Sequence, residues 1–182
     1  MLLEGIIEFL ETDKLSFTFT SIGLKCLSLR NLSGETIIDL GKILAGEEAA
    51  SQQTIHIIKE TSNFLETGYH NMQLDLTGLT VFQQAVLNEV MKVAPGKTST
   101  YKSLAENMGK PGAAQAVGSA VSKNPVAYFI PTHRILPQKG LIVCRSGAGH
   151  LREKLLIHEG HDLEKIGSGL ICAGKNCEKH AW

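Results

Sequence analysis

Apolar and polar residues alternate strictly near the start of the chain: Leu15, Phe17 and Phe19 are interleaved with Ser16, Thr18 and Thr20. A period of two places each set on one face of a strand. Ser21-Ile22-Gly23 supplies a turn, and Leu27 and Leu29 then alternate, more weakly, with Cys26, Ser28 and Arg30. Residues 14–31 are therefore predicted as a β-hairpin. Further on the period lengthens. Ile55, Ile57, Ile58, Phe64 and Leu65 fall near helical spacing, which predicts a helix over about 50–67 stopped by Gly68. From Gly78 the texture changes to short helical runs separated by breakers. Thr80 is placed to cap a helix over 81–91, ended by Pro95-Gly96. Ser99 is placed to cap a second, from Tyr101 to Met108, with Gly109 as its stop. After the turn Lys110-Pro111-Gly112, a third runs from Ala113 to about Ser122, ahead of Asn124-Pro125.

The last two runs, joined through a glycine turn, have the form of a helix-turn-helix, whose second helix normally enters a DNA groove. Helix pairs of this kind are common, so the form alone decides little. Ala113, Ala114, Ala116, Gly118, Ser119 and Ala120 let another backbone approach closely. That serves packing in the core or approach to a nucleic-acid backbone, and opposite faces of one helix could serve both.

The chain has 182 residues, of which 43% are hydrophobic and 20% charged. That is enough for a core in one compact unit, or in a small domain joined to a larger one. No apolar run approaches the roughly 18 residues of a spanning helix. The first residues are acidic rather than basic, unlike a signal peptide. The expectation is a cytoplasmic protein, or a nuclear one in a eukaryote, with no membrane contact and a monomeric state. Cys26, Cys144, Cys172 and Cys177 are too few for a disulfide scaffold. The tail from Cys172 through Cys177 to His180 lacks both a fourth ligand and a common zinc spacing, so no metal is expected.

The formal net charge of zero argues against a nucleic-acid partner, but its distribution argues the other way. Residues 1–90 carry 5 Lys/Arg and 12 Asp/Glu, whereas residues 91–160 carry 10 Lys/Arg and 3 Asp/Glu. A basic half suggests a localised anion-binding surface, and Lys102, Lys110, Lys123 and Arg134 are its candidate phosphate contacts.

Residues 131–135 read Pro131-Thr132-His133-Arg134-Ile135, with Asn124-Pro125 a short distance before. This run resembles the Pro-Cys-His-Arg-Val motif of the 6-O-alkylguanine-DNA alkyltransferases. The resemblance extends without a gap from Thr80 to about Leu163. It takes in Phe82-Gln83, Pro95-Gly96-Lys97-Thr98, Tyr101, Leu104-Ala105, Ala116-Val117-Gly118, Gly140, Leu155-Leu156 and His158-Glu159-Gly160. The first 79 residues resemble the family only in outline. The resemblance implies an α/β (α+β) fold in three parts. Residues 1–78 would form a small strand-rich N-terminal domain, and 79–165 a mostly helical domain with the helix-turn-helix and an active-site loop. Residues 166–182 would be a tail, and the linker would lie near Asp75 to Thr80.

It also implies a chemistry. The family everts a damaged guanine from duplex DNA into a pocket, where a cysteine thiolate takes the alkyl group. In this sequence Glu159 would hold the imidazole of His133, which would act through a water on position 132. Asn124 would stabilise the turn into the active-site loop, and Tyr101 would press on the phosphate that rotates. Ala113, Ala114, Gln115 and Gly118 would lie on the DNA-facing helix, with Arg145 and Ser146 in the pocket lid. No cofactor is implied. The partner implied is double-stranded DNA containing alkylated guanine, with excision-repair proteins beyond it.

Three departures cluster at this site. Thr132 stands where the family has its nucleophilic cysteine, and a hydroxyl is a far weaker acid and nucleophile than a thiol. Gln115 stands in place of the arginine that fills the gap left by the flipped base. Arg145 stands where the lid tyrosine usually lies. Cys144, beside the lid, has no His–Glu pair placed for it. Three readings stay open. One is a non-catalytic lesion binder akin to the alkyltransferase-like proteins, although these usually carry Trp or Ala at the cysteine position and keep the arginine. Another is a suicidal methyltransferase whose cysteine has been exchanged for threonine. The third is a degenerate paralogue.

Overall fold

The computed structural model describes residues 3–10, 14–29, 36–138 and 148–163. It divides into two compact units, Met1–Thr77 with Pro125–Phe129, and Gly78–Asn124 with Ile130–Trp182. The fold class is that expected: a three-stranded antiparallel sheet with helices, followed by a mostly helical part. Among the described residues no helix is long and apolar enough to cross a membrane.

In the first unit, β1 (Lys14–Phe19) lies between β2 (Leu24–Ser28) and β3 (Thr36–Asp39), antiparallel to both. Phe17 pairs with Leu27 on one side and Thr36 on the other. The predicted hairpin is present, with Leu15, Phe17, Leu24 and Leu27 as its buried hydrophobic residues, and Ser16 and Ser28 are buried with them although the alternation places Ser16 on the polar face. The register slips between Thr18 and Phe19, and β2 ends at Ser28, which is why the alternation weakens toward Leu29. The long predicted helix is α3 (Gln52–Thr67), capped by Ser51 and closed by Gly68 at φ 75°, a left-handed value that favours glycine. It buries Ile57, Thr61, Phe64 and Leu65.

In the first unit two helices and a strand went unforeseen. They are α1 (Leu3–Leu10), which buries Ile6 and Leu10, then β3, and α2 (Leu40–Leu44), capped by Asp39. Each is too short to carry a resolvable period. The first unit also takes in residues 125–129. Leu27 N donates to Pro125 O (3.0 Å) and Ala127 N to Leu27 O (2.8 Å). Tyr128 has φ 43°, and its buried hydroxyl lies 3.0 Å from Thr61 Oγ1.

In the second unit, α4 (Val81–Met91) begins with a reciprocal cap. Gln83 N donates to Thr80 Oγ1 (3.2 Å), and Thr80 N to Gln83 Oε1 (2.9 Å). The helix-turn-helix pair is α5 (Tyr101–Asn107) and α6 (Ala114–Val121), and α6 packs on both α4 and α5. Val117, Ala120 and Val121 form its buried face. The cap of α5 is Thr100 rather than Ser99. Thr100 Oγ1 accepts from Ser103 N at 3.0 Å, while Ser99 is drawn into the two-residue strand β4 (Ser99–Thr100). That strand pairs in parallel with β5 (Ile135–Leu136), Ser99 opposite Ile135. Ala113, expected as the first residue of the third helix, precedes it and offers no side-chain cap. The last element is α7 (Ala148–His158).

Candidate functional site

The strand pair β4–β5 fixes where the motif sits, because it sets the residues just after Arg134 beside the residues just before Tyr101. Proline dictates the approach. Pro131, at φ −77° and ψ 58°, forms an inverse γ-turn in which Thr132 N donates to Ile130 O at 2.7 Å. Asn124 Nδ2 donates to the same carbonyl at 3.4 Å. The next residues, Thr132–Arg134, make a single 3-10 turn, and all three side chains are buried, at 0%, 1% and 2% exposure. Thr132 Oγ1 has no hydrogen-bond partner among the described residues.

Glu159 reaches this turn from the end of α7. Gly160 N donates to Ile157 O and His161 N to Leu156 O, both at 2.9 Å, which is a Schellman closure with Gly160 at φ 84°. The closure ends the helix at Glu159 and leaves its carboxylate among the motif side chains. His133 Nε2 lies 2.9 Å from Glu159 Oε1. Arg134 approaches the same carboxylate, Nε at 3.0 and 3.1 Å from the two oxygens and Nη2 at 2.7 Å from Oε1. Arg134 Nη1 donates to Val93 O at 2.7 Å, and Gly96 N donates to Glu159 Oε2 at 3.3 Å.

Burial pushes the Glu159 carboxyl upward, but its hydrogen bonds to His133 and Arg134, with their charges, outweigh that and hold it at about 2. For His133 burial is the largest influence and lowers the pKa, against the opposing pull of Glu159, so the imidazole is neutral at neutral pH. A carboxylate only accepts, so Nε2 carries the ring proton and Nδ1 is the basic nitrogen. The arrangement can orient an imidazole to take a proton from a weakly acidic neighbour.

Residues 81–161 match the family described as 6-O-methylguanine DNA methyltransferase, DNA binding domain. Over residues 81–161 the chain carries the DNA-binding domain of the 6-O-methylguanine-DNA methyltransferase family. A relative named methylated-DNA--protein-cysteine methyltransferase, from Mycobacterium leprae, is 36% identical over 116 residues, covering 64% of this chain and 66% of that one. The crystal structure of Mycobacterium tuberculosis O6-methylguanine methyltransferase superposes with a TM-score of 0.59 at 25% identity, covering 80% of this chain and 92% of the other. A structure of Mycobacterium tuberculosis OGT in complex with DNA gives 0.58 at 26% identity, covering 80% and 85%. The chain spans about half to two thirds of the length of the curated relatives it matches.

Within this domain the structure brings Asn124, Thr132, His133 and Glu159 to one loop and helix end. One sequence expectation is corrected. Arg134 is no surface cation for a phosphate, because its guanidinium is buried on Glu159 and the Val93 carbonyl. Lys102, Lys110, Gln115 and Lys123 are exposed, and Tyr101, Ala113, Ala114 and Gly118 are half-buried. Lys102 Nζ lies 3.8 Å from Glu106 Oε1, and Lys110 Nζ sits 5.2 Å over the Phe82 ring. The Val93 carbonyl and Gly96 N–H were not anticipated as site groups. Backbone partners leave no mark in side-chain identity, and only the Pro95-Gly96 turn hinted at a tight approach there. Cys144, Arg145, Ser146 and the tail with Cys172, Cys177 and His180 lie outside the described residues.

Proposed function

We propose that this protein binds duplex DNA containing 6-O-alkylguanine, takes the lesion base out of the helix, and transfers little or no alkyl group. The observation that carries this reading is the content of the buried turn: a neutral His133 held by Glu159 at 2.9 Å beside a residue that is threonine, not cysteine. Its other supports are the DNA-binding-domain match and a structural relative solved with DNA. A relay of this kind assists a thiol, whose ordinary pKa is about 8.5. It leaves an aliphatic hydroxyl protonated, so the C–O bond of the lesion stays intact. In this reading Tyr101, Gln115, Ala113, Ala114 and Gly118 approach the DNA, while Lys102, Lys110 and Lys123 meet phosphates.

The test is a fluorescence titration of duplexes containing 6-O-methylguanine or plain guanine at fixed salt. At least about tenfold tighter lesion binding, a difference of about 1.4 kcal/mol, is expected. Equal affinity for the two removes the reading. A second reading, a suicidal methyltransferase whose cysteine has been exchanged, is favoured by the same intact His133–Glu159 pair. It predicts that Thr132→Cys alone restores transfer of a labelled methyl group to the protein.

A further inference from the structure

We infer that Arg134 is a positioning residue: it is the fixed counter-charge of Glu159, and by filling that role it keeps His133 an uncharged base in a single orientation beside residue 132. The geometry carries this. Oε1 of Glu159 is shared by His133 Nε2 at 2.9 Å, Arg134 Nη2 at 2.7 Å and Arg134 Nε at 3.0 Å, and Oε2 is met by Arg134 Nε at 3.1 Å. The guanidinium cannot swing away from the carboxylate without breaking its 2.7 Å bond to the Val93 carbonyl. Arginine does not lose its proton inside proteins. Glu159 and Arg134 therefore already balance each other in this buried cluster, Arg152 adds a further positive charge toward the ring, and a proton on the imidazole would add one more uncompensated cation.

The charged groups facing His133 on its own turn and on α7, which packs against that turn, are Glu159, Arg134 and Arg152. Burial is the largest influence keeping the ring uncharged; Glu159 draws a proton onto it, and the two arginines oppose Glu159. A His–carboxylate pair without the arginine favours the imidazolium. Exchanging Arg134 for a neutral residue should thus make His133 take up the proton that restores the balance. The consequence for chemistry is that the site holds a proton acceptor at Nδ1 rather than a proton donor, whichever side chain stands at 132.

The inference leans on the proposed function only for what the proton state serves, and the experiment separates the two because it uses no DNA. Histidine side-chain nitrogen shifts are recorded on the whole protein across pH, for the unmodified chain, Arg134→Gln and Arg134→Lys. In the unmodified protein His133 is expected to be neutral at neutral pH, with its proton on Nε2, and to take up its second proton only below the pH at which an ordinary histidine does. In Arg134→Gln it should titrate at least one unit higher, a tenfold easier protonation. Arg134→Lys should return it to the unmodified behaviour, because the charge is restored although the fork is lost. An imidazolium at neutral pH in the unmodified protein overturns the inference, even if Arg134→Gln fails to fold. So does an Arg134→Gln protein that titrates unchanged, or an Arg134→Lys protein that titrates like the Gln variant.

Discussion

Thr132 offers a hydroxyl with an added methyl group in place of a thiol, while His133 and Glu159 remain paired beside it. Sulfur in that place would stand next in the chain to a neutral imidazole whose ring orientation is fixed by Glu159. Thr132→Cys is accordingly expected to accept one labelled methyl group per protein in a single turnover, where the threonine protein accepts none above background. An inert cysteine variant would show that the site has decayed beyond this residue. Glu159 is the residue whose loss should cost most. Glu159→Gln leaves the Arg134 guanidinium buried without its carboxylate, a change of about 3–5 kcal/mol, readable as a fall in the urea midpoint. The pH dependence has a definite sign. The folded-state pKa of Glu159 is depressed from 4.5 to about 2, so its stabilising contribution is complete above 4.5 and drains as pH falls toward 2. His133 is depressed below 6.5, so the unfolded chain takes up that proton first and stability begins to fall below 6.5. Urea midpoints should decline monotonically on acidification, and Glu159→Gln should show a shallower limb below 4.5, what remains coming from carboxyls such as Asp75, which bonds from Thr20 and Thr77 hold at about 2. A midpoint that rises on acidification would contradict both assignments.

At the scale of elements, what was legible in the sequence was what neighbours in the chain decide. The hairpin strands, α3 with Gly68, and α4 with Thr80 each announce themselves through period, cap and stop within a few residues. The cap of α5 was misplaced by one position because Ser99 and Thr100 are equally good caps locally. The choice falls to β5, a partner 36 positions away, which claims Ser99 for a strand pair with Ile135. The same limit explains Arg134. Beside His133 in a basic stretch it reads as a surface cation, and only the Schellman turn that ends α7 at Glu159 shows where the guanidinium goes. Substitution separates the two caps. Thr100→Ala should cost about 1 kcal/mol through loss of the bond from Ser103 N, whereas Ser99→Ala should cost only a few tenths. Equal costs in thermal unfolding would restore Ser99 as the cap.

At the scale of the whole molecule, the contrast between an acidic first half and a basic stretch over residues 91–160 survives the structure, but the cations within it are not equivalent. Arg134 is neutralised internally by Glu159. Lys102 has Glu106 near it, and Lys110 rests over Phe82, a contact that leaves its charge available to an anion. Lys123 is exposed just beyond α6, with no acidic side chain paired to it among the described residues. Each phosphate neutralised releases counterions and contributes about 0.9 to the slope of log affinity against log salt. Lys123→Ala should therefore reduce that slope by about one, equally for lesion and plain duplexes, since phosphates carry no sequence. Lys102→Ala should reduce it by less, because Glu106 already screens part of the charge. Arg134→Gln, which removes the charge, should leave the slope where it was, since a buried cation displaces no counterions. The three slopes, measured on one duplex between low and moderate salt, form a single test. If Arg134→Gln flattens the line as much as Lys123→Ala does, the guanidinium reaches the backbone in the complex, and its confinement to the Glu159 cluster belongs only to the unbound protein.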